Sequence, residues 1–311
     1  MTAYRFCRSD DIGLLVDALN RCWAPSFPDE PAMSPAAFKR SIRELQVWCS
    51  SCMVAFSGPD PIGVLIGAKR PSGTLVHRIA VHPDHRRQGH GRHLLDSLGS
   101  KLAILGPPRM VAEIPETLAA ACELFSACGF AEEMVLADYV LKSDTTDTAA
   151  VGPSALHALS PPARSDHAAP GRAEVDDDVG RFIIPVTADD LAANGLLGDV
   201  DPDVCWRRSV ETLMATKEDI MGLAVASDER IEAYVLYVPQ EVEAEVVALH
   251  SMVDDDGRRL RQLLSRVQST GIRTLRFPKA HSTEAPKALL DSLGFRRDRT
   301  HRRYGATARP D

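Results

Sequence analysis

Arg86, Arg87 and Arg92 surround two glycines, Gly89 and Gly91, in the stretch HRIAVHPDHRRQGHGRHLL at residues 77–95. The apolar run VHRIAV reads as a buried strand ended by Pro83, and the leucines after Gly91 read as a helix. The first amides of a helix have no partner within it and carry about half a positive charge, so they attract anions. Glycines there let an anion reach the backbone, and arginines add charge. The chemistry implied is a phosphate or diphosphate held at a helix start. It is not a dinucleotide fingerprint, because the third glycine and an acidic residue about twenty positions on are missing.

Five of the ten histidines, His77, His82, His85, His90 and His93, fall in the same region. His82-x-x-His85 and His90-x-x-His93 have metal-ligand spacing. A strand end, a turn and a helix start would nevertheless point these rings in different directions, so the reading is phosphate service and no metal. Seven cysteines at irregular spacing fit reduced thiols rather than a disulfide framework. Cys49 and Cys52 form a C-x-x-C, but QVWCSSCMVAF reads as one strand with half-buried thiols, not as the turn a redox pair uses.

The elements that must carry these residues form two halves. At 311 residues, 44% hydrophobic and 25% charged, the chain is long enough for two domains with their own cores. A net charge of −7 excludes nucleic acid as the main partner. No stretch approaches the ~20 apolar residues of a membrane span, and MTAYRFCRSDD has charges where a signal peptide has its apolar segment. A cytoplasmic protein is expected. Residues 144–180, rich in Pro, Ala, Ser and Asp, read as a flexible linker between domains at 1–143 and 181–311.

Both halves start with a short strand, an Asp-rich cap and a helix, and both end in a glycine, a strand, a helix and a Gly-Phe pair. Gly106 and Gly271, and Gly129-Phe130 and Gly294-Phe295, are separated by one constant offset, which points to an internal repeat. The mixed order of strands and helices predicts an α/β (α+β) class, with a central sheet and helices on both faces.

The string A-V-H-P followed by R-x-x-G-x-G at a helix start resembles motif A of the GNAT N-acetyltransferase superfamily, Q/R-x-x-G-x-G/A after the fourth strand. The resemblance covers roughly residues 3–142 and implies two GNAT-like domains, each with a splayed mixed sheet. It implies acetyl-CoA as co-substrate, with the diphosphate on Arg86, Arg87, Gln88, Gly89, His90, Gly91 and Arg92. The pantetheine arm is then expected along the backbone of Ile79, Ala80 and Val81, with the Val81 amide as oxyanion donor. An amine on a small molecule or peptide is the implied acceptor, attacking directly, and a homodimer is compatible.

The family's frequent thiolate-protonating tyrosine corresponds to Phe125, and the asparagine often found earlier in that helix falls near Leu118, so neither residue is present and the acid step lacks its usual donor. Water or the substrate's own ammonium is left for that step. His77 is the first candidate base, since its intrinsic pKa of about 6.5 suits a proton acceptor at neutral pH. HRIAVH also resembles the fourth strand of arylalkylamine N-acetyltransferases, where a histidine removes substrate protons through water. A histidine satisfied within the sheet is the equal alternative. Glu113 is the second candidate, against a solvated strand end. Carried along the constant offset, Ser251, Asp254 and Asp256 fall opposite Arg86, Gly89 and Gly91, so the second half reads as degenerate and without a cofactor site. An alignment bringing Gly257 and Arg258 to phosphate stays open. A weakly catalytic acyl-CoA-binding sensor is the rival to an enzyme.

Overall fold

The computed structural model describes residues 2–143, 174–175, 181–197 and 204–308. The linker expected at 144–180 lies outside the described residues except for 174–175. Contacts divide the chain into two compact units, Met1–Leu136 with Thr300–Asp311, and Ala137–Arg299.

In the first unit an antiparallel meander of β1 (Thr2–Phe6), β2 (Met53–Ser57), β3 (Asp60–Arg70) and β4 (Gly73–Val81) is followed by β5 (Arg109–Pro115), parallel to β4. Its helices are α1 (Ile12–Cys22), α2 (Pro35–Leu45), α3 (His90–Leu105) and α4 (Ala119–Ala127). Leu94, Leu95, Leu98 and Leu102 recur at helical spacing and bury one face of α3 against Leu65, Val76, Met110 and Phe125. Val64 and Ile66 are equally buried but lie outside that cluster, and α1 crosses β3. The sheet therefore has helices on both faces, as its alternating side chains require.

Two long strands, β6 (Ala131–Lys142) and β13 (Arg296–Thr307), run across the division between units. β5 pairs antiparallel with His301–Thr307 of β13. Arg302 bonds Glu132 of β6 at 2.7 Å and Glu116 at 2.6 Å. Tyr304 is buried in the first core, its ring 6.3 Å from that of Phe125. Boundaries at 143 and 181 place residues 300–308 in the second half, whereas their packing belongs to the first unit. A strand's place is set by the edge it pairs with, not by its order in the chain.

The second unit repeats the plan. β8 (Arg181–Pro185), β9 (Met221–Ser227), β10 (Ile231–Pro239) and β11 (Glu243–Ser251) are antiparallel, and β12 (Thr274–Ala280) is parallel to β11. β12 then pairs with Ala137–Lys142 of β6, and the short β7 (Glu174–Val175) adds to β8. Its helices are α5 (Ala188–Ala193), α6 (Val210–Ala215), α7 (Arg258–Gln268) and α8 (Lys287–Ser292).

The single strand expected through QVWCSSCMVAF is interrupted. Cys49–Ser51 form one 3-10 turn, closed by Ser51 N–H to Trp48 O at 2.7 Å and Cys52 N–H to Cys49 O at 2.9 Å. The turn nests where Gly67 has no side chain, since a Cβ there would meet Ser51 O at 2.5 Å. Cys52 is fully buried and Cys49 half-buried. Burial pushes the Cys7 thiol up to about 12 and the Cys52 thiol higher still, so neither supplies a thiolate at neutral pH.

Tyr304→Ala empties an aromatic site in the first core and is expected to cost about 3 kcal/mol. Proteolysis or hydrogen exchange resolved by segment should show residues 2–136 losing protection before residues 181–299. Equal loss in both would refute the assignment of β13 to the first unit.

Candidate active site

β4 and β5 pair only at Thr74–Met110 and Leu75–Val111. Beyond these the strands part. On its other edge β4 stays in register with β3, except for a bulge: Ile66 opposes Arg78 and Gly67 opposes Val76, leaving His77 as the extra residue. Bulges of this kind re-aim the strand that carries them. The His82 N–H donates to Ile62 O at 2.9 Å, so His82 and Ile62 are the bonded pair and the positions between alternate. Ile79 opposes Leu65 and Val81 opposes Gly63 as the non-bonded pairs. Their N–H and C=O groups consequently point away from β3, toward the edge that β5 has left.

α3 begins beside this edge. Arg87 at φ 62° and Gly89 at φ 85° turn the chain into the helix. The first intrahelical bond runs from His93 N–H to Gly89 O at 3.0 Å. The amides of His90, Gly91 and Arg92 thus have no acceptor within the helix. Added at Gly89, a Cβ would meet nothing within 4 Å, so this glycine serves the backbone angle. At Gly91 a Cβ would come 3.0 Å from Leu124 Cδ2, so this glycine lets α3 approach α4. The expectation that both glycines simply clear room for phosphate is therefore divided between two different constraints.

A cleft of about 790 Å³ joins the open edge to the helix start. Ile79, Ala80, Val81, Arg86, Arg87, Gly89, His90, Gly91 and Arg92 all line it, while Gln88, His77 and Glu113 do not. Gln88 instead points its amide back toward Asp84 O at 3.4 Å. Arg86 donates from Nε to Val81 O at 3.0 Å and from a terminal nitrogen to Ser26 Oγ at 2.7 Å, tying the open edge to the segment after α1. Arg87 is exposed and 4.0 Å from Glu123. His77 is half-buried at the bulge, and Glu113 lies across the β5–β13 ladder from Arg303, where opposite charges favour pairing.

The histidine rings divide as the elements do. The Tyr4 hydroxyl lies 2.7 Å from His90 Nδ1, and the Tyr4 ring is 3.8 Å from His93. His82 caps the turn at Pro83–His85 by accepting from Asp84 N–H at 3.4 Å. Among the described residues no three His, Cys, Asp or Glu side chains are grouped to hold a metal ion. Phe125 is buried against Phe130, ring centres 4.9 Å apart, and Leu118 presents an apolar side chain to the cleft.

Sequence reasoning missed the outer wall. Trp23 and Phe27, stacked 4.2 Å apart, line the cleft together with Ser26. Their i, i+4 aromatic spacing just past α1 was the available signal.

The corresponding place in the second unit is occupied by the chain itself. β11 carries its bulge at Val247, since Leu236 opposes Ala248 and Tyr237 opposes Val246. Gly257, at φ 74°, caps α7 as Gly89 caps α3, so Gly257 and not Asp254 is the structural counterpart. The constant offset fails here because the helix after the capping glycine is shorter, 11 residues in α7 against 16 in α3. The Asp255 carboxylate accepts from Arg259 N–H at 3.1 Å and pairs with the Arg259 guanidinium at 2.5 Å. One internal carboxylate thus takes a helix-start amide. A Cβ at Gly257 would lie 2.8 Å from Leu289 Cδ1, so α7 and α8 are in close contact where the first unit has its cleft. The fully buried Arg208 side chain sits on the part of β12 beyond its pairing with β11, bonding Lys279 O at 3.0 Å and Glu284 at 2.6 Å, stacked 4.4 Å from Phe277.

Residues 14–130 match the acetyltransferase (GNAT) family. The [ribosomal protein bS18]-alanine N-acetyltransferase of Escherichia coli strain K12 is 36% identical over 76 residues, 24% of this chain and 51% of that protein. The chain spans about half the length of the curated relatives it matches. In three dimensions it is similar to a tandem GNAT protein from the clavulanic acid biosynthesis pathway, at 14% identity and TM-score 0.62 over 100% of both chains. A GCN5-related N-acetyltransferase from Sphaerobacter thermophilus has 14% identity and TM-score 0.64 over 99% of this chain and 96% of that one. Residues 14–130 thus carry the match to the GNAT family, and the fold of the whole chain is like that of a tandem GNAT protein.

Burial raises the Asp255 and Glu232 carboxyls, but their bonds to Arg259, and for Glu232 also to Arg181, outweigh it and hold both below the usual carboxylate range. The stability they contribute is full above the ordinary value near 4 and is lost as the pH falls through the depressed folded-state values. Arg259→Met should therefore flatten the acid limb of the second unit's stability profile, read by the Trp206 environment between about pH 2 and 5. An unchanged limb would show that these carboxylates are not held by Arg259.

Proposed function

We propose that the chain is an N-acetyltransferase that moves an acetyl group from acetyl-CoA to an amine of a small molecule or peptide, at one site in the first unit. The observation that carries this reading is one cleft in which an open backbone edge, Ile79 to Val81, meets a helix start with vacant amides, His90 to Arg92. A diphosphate fits those amides, and Arg86, Arg87 and Arg92 add positive charge. The volume suits a cofactor arm.

Bound acetyl-CoA supplies a thioester carbonyl open to direct attack by a neutral amine. The Val81 N–H, aimed at the open edge, stabilises the developing oxyanion. Ile79 offers its backbone groups to the amides of the pantetheine arm. His77, two residues before Ile79, accepts the amine's proton through water; Glu113, facing Arg303, is the secondary choice. With Phe125 in the core and Leu118 apolar, the leaving thiolate takes its proton from water or from the acceptor's own ammonium. Phe125 and Leu118 in place of the family's tyrosine and asparagine are also what favours the rival reading, an acyl-CoA-binding sensor. A cytoplasmic setting is supported by seven cysteines that form no disulfide among the described residues.

Gly89→Glu places a carboxylate and an unfavourable backbone angle at the helix start, so acetyl-CoA binding should fall at least about a hundredfold with the fold retained. In the unmodified chain, calorimetry should find one acetyl-CoA per chain, since Asp255 and Arg208 occupy the second place. Two equivalent sites, or unchanged affinity in Gly89→Glu, would contradict the assignment. Incubation with acetyl-CoA and an amine panel should release thiol in proportion to acceptor; tight binding without acceptor-dependent thiol would select the sensor.

His77→Gln should lower the rate at neutral pH, remove an inflection on the acid limb of the pH–rate profile and leave acetyl-CoA affinity intact. A profile of unchanged shape and height would make His77 structural.

A further inference from the structure

Arg78 stands one residue before Ile79 on β4, and the two side chains leave opposite faces of the sheet. Ile79 packs among the α3 leucines, whereas the Arg78 guanidinium lies 4.8 Å from the centre of the Trp23 ring. Trp23 in turn stacks on Phe27, and both rings line the cleft that contains Ile79 and Val81. Arg78 does not itself line the cleft; it lies against Trp23 and next to Ile79, which do, on the face of β4 away from α3, whereas the arginines that line the cleft begin at Arg86.

The surroundings of Arg78 are incomplete. Its side chain is only 21% exposed, and its one ionic contact among the described residues is Glu30, at 3.4 Å without a hydrogen bond. The same Glu30 oxygen accepts the Trp23 indole N–H at 2.9 Å. A guanidinium has five N–H donors, and those of Arg78 are not sealed from solvent, so they stay open to an acceptor that can take two of them. Burial draws the Arg78 pKa down, with Glu30 opposing that only in part. An arginine serving the scaffold looks different in this chain: Arg208 bonds Glu284 and Lys279 O and stacks on Phe277. A guanidinium held beside an indole, with donors to spare, can offer two parallel bonds to a planar oxyanion.

We propose that Arg78 binds a carboxylate of the acceptor, so that the acceptors are amines that also carry a carboxylate, namely amino acids or peptides with a free C-terminus. The Trp23–Phe27 stack offers an apolar wall to the rest of such a molecule. The word acceptor rests on the acetyltransferase reading; the carboxylate site itself does not.

Calorimetry in the presence of CoA, with N-acetylglycine, N-acetyl-L-phenylalanine and N-acetyl-L-phenylalaninamide as probes, tests the site without turnover. The acids should bind, the phenylalanine acid at least about tenfold more tightly than its amide, because a charge-assisted bidentate contact is lost. Arg78→Gln should erase that difference and Arg78→Lys retain part of it, with CoA affinity unchanged in both. Acids that do not bind, acid and amide that bind alike, or a preference that survives Arg78→Gln would overturn the proposal. In a parallel turnover assay, amino acids should outperform their amides in wild type and not in Arg78→Gln. Carboxylate binding that depends on Arg78, with no thiol release from any amine, would uphold this site and refute acetyl transfer.

Discussion

The parting of β4 from β5 after Leu75 and Val111 is the constraint on which the candidate site depends. A parallel pair that stayed in register would consume the N–H and C=O groups of Ile79 and Val81 and leave nothing for a ligand to bond. Buried backbone groups demand partners, so the opening is tolerated only where something else can pair with them. The Arg86 side chain meets one such group, the Val81 carbonyl, and solvent in the cleft reaches the others. The bulge at His77 and the turn through Arg87 and Gly89 then bring a second set of vacant amides, those of α3, to the same opening.

The second unit shows what the same scaffold does when its polar groups are satisfied from within. Its strand bulges at the equivalent place and its helix starts on a positive-φ glycine, yet Asp255 takes the Arg259 amide and Arg208 bonds the Lys279 carbonyl on the free part of β12. Both substitutes are internal ions with counter-ions of their own, Arg259 and Glu284. An ion pair of this sort resists replacement by an external ligand, because removing one partner leaves the other buried and unpaired. The same plan recurs in both units, and among the described residues these internal groups stand in the second where the first leaves helix amides and a strand edge open to a cleft.

The terminal strand adds a dependence that chain order conceals. Residues 300–307 close the first unit's sheet beyond β5, and Tyr304 stands in the same core as Phe125 and Phe130. The core beneath α4, whose Leu124 sets the spacing to Gly91, is completed by residues far away in the chain. Hydrophobic cores are non-directional in sequence, so any strand with the right pattern and edge can complete one.

By itself the sequence determined what short-range chemistry dictates: the strand VHRIAV, the proline stop, the glycine-rich helix start, the arginines near it and the repeat of strand, helix and Gly-Phe in each half. These follow from backbone preference and side-chain pattern, which act over a few residues. Tertiary structure alone decided the rest. The edge partner of β5 depends on long-range pairing, the separate duties of Gly89 and Gly91 depend on where α4 lies, and the counterpart of Gly89 is Gly257 because a shorter helix after it breaks the constant offset. The neighbours of Arg78 belong to a loop some fifty residues earlier, and no local periodicity announces a contact between Trp23, Glu30 and a strand that far along the chain.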